Sequence, residues 1–262
     1  MTYSIVARDP ETDHLGIAVA SRFFAVGALV PHIRGGKGAV ATQAFINPML
    51  GVEGADRLAK GEAPEQVLTD MITRDGGRLQ RQVHMIDANG QIAAHTGAEC
   101  VDWAGHTAAQ GVSVAGNMLA GPQVVEQTLA AYQAAMDEPL PERLLTAMEA
   151  GAAAGGDKRG TQSAALRIHR TEDYPWIDLR ADDHPDPLAE LRRLLDVAGE
   201  RFLHVAEIMP TKADFSGLTD RTSIDAAIAA EEARRKAEGR VSRSFATELG
   251  EQGQNPSVAL KK

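Results

Sequence analysis

The chain has 262 residues, 44% of them apolar and 24% charged, which suits one globular domain with a sizeable core, alone or with a short appendage. A formal charge of −9 and a pI near 5.4 leave no basic surplus for nucleic acid or an anionic membrane surface, so neither is expected as a partner. A lone cysteine, Cys100, excludes an internal disulfide and a cysteine-rich zinc site, and no HExxH spacing occurs among the eight histidines, so no metal and no cofactor is expected.

No apolar run approaches the ~18 residues of a membrane span, and no basic stretch followed by an apolar one opens the chain, so a cytoplasmic protein is expected. Tyr3 to Ala7 and Leu15 to Ser21 read as strands around the turn Asp9-Pro10-Glu11-Thr12-Asp13. A second strand pair is expected over Ala28 to Ile33 and Gly38 to Ala44, joined through Gly35-Gly36. Helical composition follows over Gly51 to Lys60 and Pro64 to Thr73, with Pro64 suited to a first helical turn. Gln82 to Ala88 and Gln91 to Thr96 flank Asn89-Gly90, which predicts a hairpin with a type I′ turn, and a further strand is expected over Gly111 to Ala115.

Val124, Val125, Leu129 and Tyr132, then Leu144, Leu145 and Met148, recur at helical spacing and predict two amphipathic helices. Thr161 to His169 and Trp176 to Leu179 return to strand. The apolar series Leu188, Leu191, Leu195, Ala198, Phe202 and Val205 then predicts one helix of more than four turns. The core domain is expected to end near Met209-Pro210. Residues 211–262 are expected to form a polar appendage, with Glu231 to Lys236 on a solvated helix and a partly disordered Gly/Gln/Asn/Pro end. This order of elements suggests two stacked sheets between helical layers, with a ferredoxin-like or doubly wound fold as the competitor.

Thr2-Tyr3-Ser4-Ile5-Val6-Ala7-Arg8-Asp9-Pro10, Ala20-Ser21-Arg22-Phe23-Phe24-Ala25-Val26-Gly27 and Gly38-Ala39-Val40-Ala41-Thr42-Gln43-Ala44 resemble a known family, domain of unknown function 1028. His95-Thr96-Gly97-Ala98-Glu99-Cys100, Gly116-Asn117-Met118-Leu119, Glu142-Arg143-Leu144-Leu145 and the run from Gly155 to Ala165 continue the resemblance, which extends from Thr2 to about Leu195. That family is grouped with the Ntn hydrolases. The resemblance therefore implies an α/β (α+β) protein, a four-layer αββα sandwich of mostly antiparallel sheets, and by analogy hydrolysis of a small amide or short peptide.

An Ntn hydrolase attacks with the side chain of its first residue and uses the free α-amine as base, so removal of Met1 would make Thr2 the nucleophile. Ser21, at the end of the second strand, is a candidate partner of Thr2, and Asn117 is a candidate oxyanion donor between a strand and a helix. Arg22 is a candidate clamp for a substrate carboxylate, Gln43 and Asn47 for orienting substrate, His95 for proton relay, and Asp157 and Arg159 for anchoring substrate. Each also has a plain structural reading, as a strand-end, capping or ion-paired residue. A homodimer is expected. The rival to the enzyme is a non-catalytic binding or assembly protein of the same fold; a third scheme places catalysis on Cys100 or His95.

Overall fold

The computed structural model describes residues 2–157 and 159–246. By compactness they divide into two units, one running to Arg192 with Thr211–Ala213 added, the other formed by Arg193–Pro210 and the chain from Asp214.

The first unit opens with β1 (Thr2–Arg8) and β2 (Leu15–Ser21), the expected hairpin. The next expected strand begins later than its composition suggests. Ala25 adopts φ 51° and starts a 3-10 turn at Val26–Ala28, so β3 is only Pro31–Arg34, paired with β4 (Gly38–Ala44). The helices α1 (Pro48–Ala59) and α2 (Pro64–Arg74) each carry proline in the first turn, where a missing N–H costs nothing.

The strands β5 (Arg81–Asp87) and β6 (Ile92–Thr96) form the hairpin around Asn89-Gly90, but not with a type I′ turn. Only Gly90 has positive φ, 81°. Gly90 N–H donates to Asp87 O, and the Asp87 carboxylate accepts from the N–H groups of Asn89 and Gln91 at 2.9 and 2.8 Å. That carboxylate stabilises a three-residue loop with one left-handed glycine, and Asn89 is not required to be left-handed.

An unexpected strand, β7 (Trp103–Ala109), pairs with β8 (Val112–Leu119), which extends well beyond the expected Ala115. Asn117 therefore lies within a strand, not between strand and helix. Then come α3 (Gln123–Ala134), α4 (Leu140–Ala153), β9 (Ser163–His169), β10 (Ile177–Ala181) and α5 (Pro187–Glu200), within which the two units divide.

The six-stranded sheet runs β10-β9-β2-β1-β8-β7 and the four-stranded sheet β3-β4-β5-β6, with antiparallel neighbours throughout. Strand alternation divides β1 between two layers. Tyr3 faces α4 and donates its hydroxyl to Met148 O at 2.9 Å, whereas Val6 packs with Val19, Ala39 and Ile86 between the sheets. Burial, with a smaller contribution from the Glu149 carboxylate, holds the Tyr3 phenol far above its ordinary pKa. On the outer face of the smaller sheet, Leu50, Leu58, Val67 and Met71 of α1 and α2 pack on Val40, Val83 and Met85. The result is an α+β sandwich with helices outside both sheets.

In the second unit α6 (Phe202–Ala206) is separate from α5, because Arg201 leaves helical geometry at φ −145°. The apolar series therefore spans two helices rather than one. On α7 (Thr222–Ala237) the charged run is only partly solvated: Arg235 is buried and donates to Asp196 at 3.0 and 3.1 Å and to Glu200 at 3.3 Å. That guanidinium depresses the Asp196 pKa. The expected disordered end, beyond residue 246, lies outside the described residues, as does Met1. No described helix is long and apolar enough to cross a membrane.

Candidate functional site

The layer between the sheets is chemically split. One half is the apolar cluster of Val6, Ile17, Val19, Ala39, Ala41 and Ile86. In the other half the inward positions of β1, β4, β5 and β8 carry Thr2 and Ser4, Gln43, Gln82 and His84, and Ser113 and Asn117, all buried. Seven polar side chains in a core are tolerable only if they are hydrogen-bonded, and each of them has at least one partner.

Gln82 is the hub. Its Nε2 lies 3.0 Å from Gly105 O, 2.9 Å from Gly116 O and 2.9 Å from Thr96 Oγ1, which share its two hydrogens, so its Oε1 is left to accept from Gln43 Nε2 at 2.9 Å and Asn117 Nδ2 at 3.0 Å. Gln43 Nε2 also reaches Ala115 O at 3.3 Å, and its Oε1 accepts from the Ser4 hydroxyl at 2.7 Å. Backbone carbonyls, which only accept, fix both amide orientations.

The proton positions follow. Because the Ser4 hydrogen goes to Gln43, the contact of 2.8 Å between Ser4 Oγ and His84 Nε2 must be donated by the imidazole. His84 Nδ1 then accepts from Ser113 Oγ at 3.0 Å. Neutral His84 has both nitrogens satisfied; complete burial, with a smaller contribution from His106, pushes its pKa down to about 3.

At the end of this polar half, Thr2 is paired across the strands with Ser21 on one side and Asn117 on the other. Thr2 Oγ1 lies 3.0 Å from Ser21 Oγ, which also accepts from Phe23 N–H at 3.0 Å. Asn117 has spent one amide hydrogen on Gln82, and no other described residue takes the second.

A model described as "Family of unknown function (DUF1028)" matches residues 2–191. The chain belongs to the DUF1028 family. Among solved structures, the crystal structure of DUF1028 protein SPO2555 from Silicibacter pomeroyi is similar at 32% identity and TM-score 0.77, covering 84% of this chain and 99% of that one. Anbu (ancestral beta-subunit) from Yersinia bercovieri is 12% identical over 80% of this chain and 98% of its own, with a TM-score of 0.37, too slight a likeness to bear on fold or chemistry. No curated protein matches the chain.

In this DUF1028 chain two cavities meet at Ala44. A small one, about 90 Å³, is lined by Thr2 and Gln43 with Phe23, Val26, Val30 and Ile46. A larger cleft of about 450 Å³ is lined by Asn117, Met118, Cys100, Glu99, Gln80 and Phe45. Ala44 and Met118 hold φ of 69° and 56°, left-handed conformations that cost a residue with a Cβ about 1 kcal/mol or more and here bend the chain around the cleft.

The structure thus brings Thr2, Ser21, Gln43 and Asn117 together. Asn47, His95, Arg22, Asp157 and Arg159 line neither cavity. Asn47 caps α1, accepting from Met49 N–H at 3.1 Å. His95 donates from Nε2 to Arg78 O at 2.8 Å. Arg22 donates to Arg159 O at 2.5 Å, and Asp157 accepts the Arg159 N–H at 2.7 Å, so these three form a local loop clasp. Cys100 lines the larger cleft, but burial raises its thiol pKa, which disfavours the thiolate. Among the described residues no cluster of His, Cys, Asp and Glu could hold a metal.

Sequence reasoning passed over Ser4, Gln82, His84 and Ser113. Their signal was present as polar residues at alternate positions of otherwise apolar strands, Ser4 two after Thr2 and His84 two after Gln82.

Proposed function

We propose that this protein is an N-terminal-nucleophile amidohydrolase of the Ntn-hydrolase type, with Thr2 as nucleophile once Met1 is removed. The observation that carries the reading is the Thr2 hydroxyl, held 3.0 Å from Ser21 Oγ at the lip of a cavity. The unperturbed α-amine, with a pKa of about 8, is largely protonated at neutral pH but has a usable free-base fraction.

The α-amine takes the Oγ1 proton as Oγ1 attacks the amide carbon, and the spare N–H of Asn117 donates to the oxyanion. The C–N bond breaks and the leaving amine takes the proton. Water then gives a proton to the α-amine and attacks the ester, releasing the carboxylic acid and restoring Thr2. Ser21 is a positioning residue, orienting Oγ1 through their hydrogen bond.

Intact mass gives the first test, and a mass that retains Met1 refutes the mechanism. With Met1 absent, Thr2→Ala is expected to abolish hydrolysis of small amides and dipeptides while leaving the circular dichroism spectrum unchanged. Hydrolysis that survives Thr2→Ala assigns the chemistry elsewhere.

A second reading, a non-catalytic protein that docks a second copy, is favoured by Phe23, Phe24, Phe45, Met49 and Val101, each more than 50% exposed. Phe23 and Phe45 border the two cavities. Light scattering on Phe24→Ser and Phe45→Ser proteins decides this: a dimer that dissociates supports it, and an unchanged mass refutes it.

A further inference from the structure

The two cavities differ in what they can hold. The one that Thr2 lines is walled mainly by apolar side chains, with Thr2 and Gln43 as its polar ones. Phe23, Val26, Leu29, Val30 and Ile46 contribute apolar side chains, and the amide of Gln43 is already committed to Ser4, Gln82 and Ala115. Apart from the Thr2 hydroxyl, this chamber presents no unspent hydrogen-bonding group among its lining side chains. A polar or charged substituent entering it would give up hydration with few side-chain groups to replace it.

Size narrows the class further. A dry apolar cavity of about 150 Å³ accepts a benzene ring. The chamber beside Thr2 measures about 90 Å³, and Val26 and Val30, which line it, are 1% and 2% exposed and belong to the inter-sheet core. A three- or four-carbon branched alkyl group fits such a volume and a phenyl ring does not.

Topology decides which part of a substrate goes there. In the proposed reaction the acyl group remains covalently attached to Oγ1 after the amine has left, so its side chain must occupy a space that Thr2 itself borders. The larger cleft of about 450 Å³ does not include Thr2 and carries Asn117, Gln80 and Glu99, which suits the departing polar amine. Resting on the Thr2 reading, we infer that the substrates are amides of small branched aliphatic acyl groups, of the isobutyryl or isovaleryl size, with aromatic acyl groups excluded.

The test uses two β-lactones on the full-length protein, one with isopropyl and one with benzyl on the carbon next to the carbonyl. Attack by Thr2 Oγ1 opens the ring and adds the whole lactone mass, with no leaving group. The isopropyl lactone is expected to label Thr2 at least about tenfold faster than the benzyl lactone, the discrimination an apolar pocket achieves by size. Ile46→Ala, which adds the space of three carbons, is expected to shrink or reverse that preference, and Leu29→Ala serves as the second enlarged variant should the first fail to fold. Labelling of Thr2 at equal rates, or faster with benzyl, overturns the size selection while leaving the nucleophile in place. Absence of Thr2 labelling by both lactones removes the nucleophile and the inference together, so the two failures are told apart by peptide mapping of the adduct.

Discussion

Acidification from pH 7.5 to 4.5 tests the buried imidazole at the centre of the polar half of the core. His84 is completely buried, donates through Nε2 to Ser4 and accepts through Nδ1 from Ser113. A proton added at Nδ1 would have to displace the Ser113 hydrogen and leave a charge without water or counter-ion. Its folded pKa of about 3 lies below the unfolded value of 6.5, so the unfolded chain binds more protons throughout that interval. Stability from this group is complete above pH 6.5 and is lost as the pH falls toward 3.

At pH 4.5 the unfolded imidazole is almost fully protonated and the folded one is not, so two pH units below 6.5 at 1.36 kcal/mol per unit amount to a loss of about 3 kcal/mol. The figure is set by the unfolded pKa, provided the folded one stays below the pH of the assay. His32, His106 and His169 are also shifted down by burial and add to the slope in the same direction. The contribution of His84 is therefore read as a difference. Urea unfolding of wild type and His84→Gln is measured at both pH values, and wild type should lose about 3 kcal/mol more than the variant. Equal losses in the two proteins would refute the proton assignments drawn for this network.

Gln82→Met removes the hub, leaving Gln43 and Asn117 amides and the Gly105 and Gly116 carbonyls short of partners, and is expected to cost about 3 kcal/mol or more in urea unfolding. Ser21→Ala takes the partner from Thr2 Oγ1 and, on the proposed reaction, should slow Thr2 acylation by up to about 10²-fold without loss of fold, as followed by lactone labelling. Gly97→Ala would drive a methyl group into the backbone of Arg78 and Leu79, which cannot rotate away, and should lower stability by about 1–3 kcal/mol in thermal unfolding. Arg143→Met leaves buried Asp9 and the carbonyls of Met136 and Glu138 without their cation, with an expected cost of about 3–5 kcal/mol in urea.

The layers of the sandwich were legible because period and punctuation carry them. β2 and β4 fall where alternation and flanking turns put them, and α2 begins at the proline that marks it. β7 was not legible. Its Trp103-Ala104-Gly105-His106-Thr107-Ala108-Ala109 has little β-branched character, and it forms as an edge strand on β8 through a register shift at Trp103/Ala104. Arg201 interrupts an apolar period that by itself reads as one helix. The Thr2, Ser21 and Asn117 grouping was partly legible, since each sits near a strand end. Which of them meet depends on register, and register between β1 and β8, over a hundred residues apart, is a tertiary property.

The split of the inter-sheet layer explains why register is so firmly set. A one-residue slip of β1 would put Tyr3 and Ile5 between the sheets and turn Thr2 and Ser4 toward α4, costing Gln43, His84 and Ser21 one hydrogen bond each. An all-apolar layer would tolerate some repacking, whereas directional hydrogen bonds to Ala115, Gly105 and Gly116 carbonyls accept one arrangement. The same bonds hold Asn117 from beneath, so its free N–H projects from a scaffold with little rotational freedom. Thr2 gains its fixed position from the opposite side, through Ser21 and the apolar half of the layer. On the proposed reaction, this pairing of Thr2 with Asn117 across β1 and β8 holds nucleophile and oxyanion donor at one separation.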